Sequence, residues 1–353
     1  MNDIPKTAPK GPGGLPARIE DAAALEDLMT TPSAALIADL ERVEGDIMVL
    51  GASGKMGPTL CRLAKRAAPG KRIVAVARFS EPGHRGALTE QGIETIPCDI
   101  LDRAALRELP DVANVIYMAG RKFGSTGSEW LTWAMNALAP AYVAERFAKS
   151  RIVALSTGCV YPFVPVKDGG PTEDVAPNPP PGEYAWSCLA RERMFEYGSH
   201  QHGTPGRLIR LNYSIDMRYG VLHDVASLVL AGQAVDVTMG HANVIWQGDA
   251  NSQILRALRH VTMPTSPLNV TGPEIVSIRE LAGAFATRFG VTAKIVGQEA
   301  ETGWLNDASA AIRLFGPPSV PLERLIHWQA DWLERDMGSL GKPTGFQVRD
   351  GKF

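Results

Sequence analysis

The stretch Ile47-Met48-Val49-Leu50-Gly51-Ala52-Ser53-Gly54-Lys55-Met56-Gly57 passes from a short apolar run straight into a glycine-spaced turn. Its first four residues, apolar and partly β-branched, read as a buried strand. Beyond Gly57, Leu60, Leu63, Ala64 and Ala67 recur at helical spacing. The order is therefore strand, glycine turn, helix. Gly51 suits a tight turn, Gly54 a close approach of the backbone to a pyrophosphate, and Gly57 close packing of helix on strand. The helix N-terminus offers free N–H groups and the positive end of its dipole to phosphates. Glycines also serve ordinary turns, but this placement favours a dinucleotide.

Working outward, the chain of 353 residues is long enough for one large domain or two smaller ones. A net charge of −2 points away from nucleic acid and from an acidic membrane surface. Cys61, Cys98, Cys159 and Cys188 lack C-x-x-C or His-containing metal spacing, so no metal is expected and free thiols in a reducing compartment are. No run approaches the ~18 apolar residues of a membrane span. Residues 1–20 contain no apolar signal core. A soluble, cytoplasmic protein is expected.

Residues 1–18, rich in Pro, Gly and Lys, read as a mobile arm. Two short helices follow between Ile19 and Val43, separated at Thr31-Pro32, and read as a packing appendage or dimer contact. Later strands are expected at Arg72–Ala77, Ile93–Pro97, Asn114–Met118, Arg151–Leu155 and Leu208–Leu211. Helical patterns lie between them, one from about Ser128 to Phe147 with a kink or break at Pro140, another beginning near Tyr184. Such alternation predicts an α/β fold with a doubly wound, parallel Rossmann sheet. Arg78 stands past strand two, where an NAD-selective fold carries Asp or Glu. With Lys55 in the glycine loop, two cations suit a 2′-phosphate and lean towards NADP, with NAD as the alternative. Both read equally well as solvated surface cations. Asp99, at a strand end beside Ile100, is placed to reach an adenine amino group.

These residues resemble the extended short-chain dehydrogenase/reductase superfamily, the group of NAD(P)-dependent sugar epimerases and dehydratases. The resemblance rests on Gly51–Gly57, Asp99-Ile100, Ala119-Gly120, Asn136, Ser156–Tyr161, Tyr184 with Glu192, Arg210-Leu211-Asn212, Asp249-Ala250 and Leu268–Pro273. It implies an N-terminal arm and helical extension over 1–45 and a dinucleotide-binding domain over 46–212, with a return near 245–260. A smaller, discontinuous C-terminal substrate subdomain would take 213–244 and 261–353. It implies cofactor contacts from Gly51, Ser53, Gly54, Lys55, Met56, Gly57, Arg78, Asp99, Ile100, Ala119, Gly120, Lys122 and Asn136, and substrate contacts from Asn212 and Tyr213. The partners implied are a small carbohydrate substrate and a second copy of the chain, in a homodimer through the helices near Asn136 and Tyr184.

By motif position Thr157 and Tyr184 take the family's catalytic hydroxyls. The pattern Tyr-x-x-x-Lys is broken, because Cys188 stands in the lysine's place. That lysine normally holds the nicotinamide ribose and lowers the tyrosine pKa from ~10. Lys122 and, further off, Arg191 are the cations left to substitute. Gly158 and Cys159 replace the Asp-Glu pair of the family's dehydratases, which argues against dehydration. Thr157-Gly158-Cys159-Val160-Tyr161-Pro162 matches instead the segment in which some epimerases move a proton with a cysteine, although a buried structural thiol fits Cys159 as well. The function implied is an NAD(P)-dependent oxidoreductase or epimerase acting on a sugar, sugar acid or nucleotide sugar. The alternative is a cofactor-binding sensor or structural protein with impaired catalysis.

Overall fold

Each apolar run becomes a strand of one parallel sheet in the computed structural model, which describes residues 14–124 and 127–351. The strands are β1 (Ile47–Leu50), β2 (Ile73–Ala77), β3 (Glu94–Pro97), β4 (Asn114–Tyr117), β5 (Arg151–Thr157), β6 (Gly206–Leu211) and β7 (Ser266–Val270). Their spatial order is 3-2-1-4-5-6-7. Register is direct at the centre, where Leu50 lies between Val76 and Tyr117. β1 and β4 are consecutive in space but not in sequence, so the sheet has its switch point between them.

The first six strands match the sequence reading to within two residues at each end. β7 does not, because it comes from the stretch assigned to the substrate subdomain. Pro267 and Asn269 disguise its pattern. It pairs only with β6, and an edge position tolerates the proline.

Helices cover both faces. On one lie α2 (Ala34–Glu41), α3 (Gly57–Ala67) and α10 (Gln247–Arg256), packed through Leu36, Leu60 and Ile254. On the other lie α5 (Arg103–Arg107), α7 (Ala139–Arg146) and α8 (Glu183–His202), packed through Leu106, Val143 and Phe195. The expected break near Pro140 takes the form of a π turn, Ala134–Leu138, between α6 (Glu129–Trp133) and α7. Pro140 has no N–H for the carbonyl four residues back, so the helical ladder opens there.

A second core lies beyond the carboxyl edge of the sheet. It gathers α9 (Val221–Leu230), α11 (Ile278–Phe289) and α13 (Leu322–Glu334) around Val225, Phe285 and Trp328. Helix α1 (Ala22–Thr30) adds Leu25 and Met29 to that core, so the N-terminal helix pair is a packing element. Glu26 on α1 ties the two halves, meeting Arg62 of α3 and Arg218 near α9, each at 2.8 Å. Of the arm read as mobile, residues 1–13 lie outside the described residues. Pro16, however, is fixed, its carbonyl accepting from Trp328 Nε1 at 3.1 Å.

One buried ion pair joins α8 to the sheet. Glu192 accepts from Arg210 Nε at 3.0 Å and Nη2 at 2.8 Å, and from Ser156 Oγ at 2.6 Å. Arg210 donates its remaining arm to the Tyr161 hydroxyl at 2.7 Å. Both charged groups are almost fully buried. Removing one partner strands the other charge, which typically costs about 3–5 kcal/mol, whereas an exposed pair contributes at most about 1 kcal/mol. In denaturant unfolding, Glu192→Gln is expected to lose stability in that larger range. Glu145→Gln, at the exposed pair with Arg103, is expected to change it by less than about 1 kcal/mol.

Candidate active site

The glycine loop is shaped by close backbone contacts. Gly51 has a φ of +89°. The N–H groups of Gly51 and Ala52 both donate to Val76 O, at 2.9 and 3.1 Å, so β2 holds the turn in place. A Cβ on Gly51 would lie 2.6 Å from Ala119 N, and one on Gly57 2.3 Å from Ala52 O. Neither position admits a side chain. The loop thus presses against the end of β4 while α3 starts hard against the turn.

A two-lobed cleft opens above it. One lobe, of about 220 Å³, takes its walls from Ser53, Arg78, Asp99, Ile100, Ala119 and Gly120. The other, of about 280 Å³, brings together Lys55, Lys122, Thr157, Cys159, Tyr184 and Asn212, with Met56, Gly57 and Tyr213 beside them. Gly51, Gly54 and Met118 border both lobes. Most residues singled out in the sequence therefore meet in one cleft at the switch point.

Three placements differ from the sequence reading. Lys55 and Arg78 stand in different lobes, so they do not form a joint site for a 2′-phosphate. The lysine side chain turns towards the second core, donating to Ser214 O at 3.2 Å. Asn136 is fully buried and lines neither lobe. From the π turn it accepts from Arg121 N at 2.8 Å and donates to Arg121 O at 2.9 Å and Ser187 Oγ at 2.9 Å, fixing the loop after β4. Cys188 is fully buried too, packed with Val160, Tyr161 and Leu189 beneath Tyr184, since that face of α8 lies against the turn following β5.

The electrostatics around Tyr184 follow from these placements. Burial raises its pKa well above the ordinary tyrosine value, and the neighbouring Cys188 and Cys159 add to the rise. Arg191 and a hydrogen bond with Thr157 pull the other way without reversing it. Arg191 is itself buried one turn past Cys188, donating to Leu155 O at 2.9 Å and Asn136 Oδ1 at 2.6 Å. Its guanidinium occupies the space a side chain on Gly120 would need. Lys122 donates to Thr344 O at 2.9 Å, and its ammonium lies 5.8 Å from the centre of the Tyr184 ring. Burial also raises the Cys159 thiol pKa, against the opposing influence of Lys122 and Thr157, and lifts that of Cys188 to about 11. Tyrosine and thiols are thus all held in their neutral forms.

The sequence did not point to several lining residues, among them Ser214, Tyr219, Gly220 and Thr344. Ser214 follows the motif residues Asn212 and Tyr213 and is found by extending that motif. Tyr219 and Thr344 carry no local signal, because the folding of the second core and the C-terminal stretch brings them to the cleft.

A cleft with two lobes joined over a glycine turn, with no room for a Cβ at Gly51 or Gly57, fits a dinucleotide whose pyrophosphate crosses the turn. Fold and site together define an α/β protein with a cleft shaped for a dinucleotide. Residues 47–215 match the model of the NAD dependent epimerase/dehydratase family. Among solved structures, UDP-glucuronic acid 4-epimerase from Bacillus cereus, in complex with NAD, is 18% identical. Its match covers 83% of this chain and 99% of that one, with a TM-score of 0.68. The dTDP-glucose 4,6-dehydratase of Bacillus anthracis, also with NAD, is 15% identical over 83% of this chain and 97% of its own, with a TM-score of 0.71. UDP-glucose 4-epimerase from Thermus thermophilus, with NAD, is 19% identical over 82% and 99%, with a TM-score of 0.67. At these identities the likeness establishes a shared fold. No curated protein matches the sequence.

Proposed function

We propose that the protein is an NAD(P)-dependent oxidoreductase or epimerase acting at a hydroxyl or carbonyl carbon of a carbohydrate. The observation that carries this reading is the meeting of Thr157 and Tyr184, mutually hydrogen-bonded, in the lobe next to the glycine loop. When bound, a nicotinamide supplies the hydride acceptor or donor. Gly51, Gly54 and the start of α3 would hold its phosphates, Asp99 and Arg78 its adenosine end, and Lys122 and Tyr184 the neighbourhood of its reactive end.

In this proposal the protonated Tyr184 donates a hydrogen bond to the substrate oxygen and Thr157 supplies a second. Two neutral donors stabilise the oxygen as it gains negative charge, which favours carbonyl reduction. Alcohol oxidation needs a group to accept the proton, and a tyrosine raised above its usual pKa is a poor one near neutral pH. Cys159 faces the same lobe but as a neutral thiol, able to donate a proton to carbon more readily than to abstract one.

The family's nucleotide-sugar enzymes make a nucleotide sugar, a free sugar or a sugar acid eligible substrates. A homodimer through α6 and α8 is part of the proposal, supported by the exposed Trp130, Trp133, Trp186 and Tyr197 on those helices. Sedimentation of the full chain reads it directly. Four free, buried thiols suit a reducing cytoplasm. No described helix is long and apolar enough to cross a membrane. The alternative, a cofactor-binding protein without turnover, draws on Cys188 in the place of the lysine.

The reaction reading is tested by the pH dependence of alcohol oxidation. The rate is expected to be low near pH 7 and to climb only above about pH 10, as a phenol held above its usual pKa ionises. Cys188→Lys, which adds a cation beneath Tyr184, is expected to move that climb to lower pH. A rate already maximal at neutral pH would require a different base. Absence of turnover at any pH with cofactor bound would favour the sensor.

Cofactor choice rests on Arg78 alone, since Lys55 stands in the other lobe. The proposed preference for NADP predicts tighter calorimetric binding of NADPH than of NADH. Arg78→Ala is expected to remove about 1–3 kcal/mol from NADPH binding selectively. Equal affinities in the wild type would return the preference to NAD.

A further inference from the structure

Two donors in the Tyr184 lobe have no use in the chemistry so far described. Lys55 Nζ reaches across the cleft to Ser214 O at 3.2 Å and sits 3.6 Å above the centre of the Tyr219 ring. It makes no ion pair with any described residue. The carboxylates nearest in sequence to this wall are engaged elsewhere. Asp216 is paired with Arg218 at 3.1 Å. Asp224 accepts from Thr344 N at 2.8 Å and Thr344 Oγ1 at 2.6 Å. The second donor is the hydroxyl of Ser214. That residue is only 7% exposed, lines the same lobe, and its Oγ has no hydrogen-bond partner among the described residues.

Ser214 is held firmly. Ser214–Ile215 pairs in parallel with Ile245–Trp246, and Tyr213 before it has a φ of +37°. A buried hydroxyl without a partner is costly to maintain, and a ligand oxygen would satisfy it. Lys55 Nζ, held by one carbonyl and an aromatic face, keeps donors for an anion. Burial lowers its pKa to about 7, and a bound anion would favour the charged form. Both residues line one small space, with Lys55 Nζ drawn up to the Ser214 backbone, and the Thr344 segment, held by Lys122 and Asp224, borders it.

We infer that Lys55 and Ser214 form an anion subsite that holds the carboxylate or phosphate of a compact carbohydrate acid while its reacting carbon lies against Thr157 and Tyr184. This rests on the reaction reading above and narrows its substrate class. A volume of about 280 Å³, part of which a nicotinamide must share, is at the small end of ligand pockets. It suits a sugar acid or sugar phosphate better than a nucleotide sugar. The cofactor's own phosphates are the competing claimant for Lys55, but its side chain is turned from the start of α3 towards Ser214, on the second core.

Isothermal titration of the full chain, loaded with NADH, tests the subsite with four probes: D-glucuronate, D-glucose 6-phosphate, D-glucose and UDP-glucose. At least one compact anion is expected to bind tenfold or more tightly than glucose, and which one does so separates carboxylate from phosphate. Lys55→Met is expected to abolish that preference and Ser214→Ala to reduce it threefold or more. Lys55→Arg should retain much of it, showing that charge and not folding is responsible. Equal binding of glucose and both compact anions overturns the proposal, as does tighter binding of UDP-glucose than of either. A tenfold loss of NADH affinity in Lys55→Met with the probe ratio unchanged also overturns it, assigning the ammonium to the cofactor. If the wild type takes up no NADH, the reaction reading fails on its own. The same probe ratio on the cofactor-free chain then still decides the subsite.

Discussion

The close approach of the Gly51 turn to Ala119, at the end of β4, is the contact on which the site depends. It brings the ends of β1 and β4 together at the point where strand order reverses, and it leaves no volume for a side chain. The two lobes of the cleft exist because the loop is thin there. Thr157 at the end of β5 and Tyr184 at the start of α8 then reach the same lobe from the side. The buried Glu192–Arg210 pair fixes α8 against β5 and β6, so the tyrosine is positioned by a charged contact two turns below it. In this fold the placement of the Thr157 and Tyr184 hydroxyls is a property of the sheet edge more than of any loop.

With a buried thiol, Cys188, one turn past it, Tyr184 is governed by desolvation. Two positive charges remain close, Arg191 within α8 and Lys122 above the ring, yet the phenol's pKa still moves up. The reason is one of placement. Arg191 spends its donors on Leu155 O and Asn136, which hold the floor and the loop after β4, and Lys122 spends one on the Thr344 carbonyl. A cation committed to backbone carbonyls organises the site without providing the direct contact to the phenolate that would offset burial.

Much of this was legible in the sequence because it is written locally. A four-residue apolar strand, a glycine turn and an amphipathic helix are contiguous, and the strand runs that follow differ from the observed ones by no more than two residues at each end. Thr157, Cys159 and Tyr184 were singled out through the family resemblance, by motif position, and all three line the cleft. Asn136 was placed at the cofactor and Cys188 at the catalytic lysine's position because a motif gives order, not depth, and a π turn and a helix face bury them. Lys55 was read with Arg78 because one lies in the glycine loop and the other just past strand two. Only the fold shows that the lysine side chain leaves towards Ser214. Thr344 and Tyr219 lie far along the chain, and nothing at their positions announces that tertiary packing returns them to the cleft.

The central claim is that Tyr184 works as a neutral donor. Ultraviolet difference titration of the NAD-loaded chain against its Tyr184→Phe variant reports that proton directly. Between about pH 6 and about pH 10, the wild type is expected to show no tyrosinate signal that the variant lacks, because burial holds the phenol protonated above the usual range. A tyrosinate signal near neutral pH that disappears in Tyr184→Phe would contradict the account.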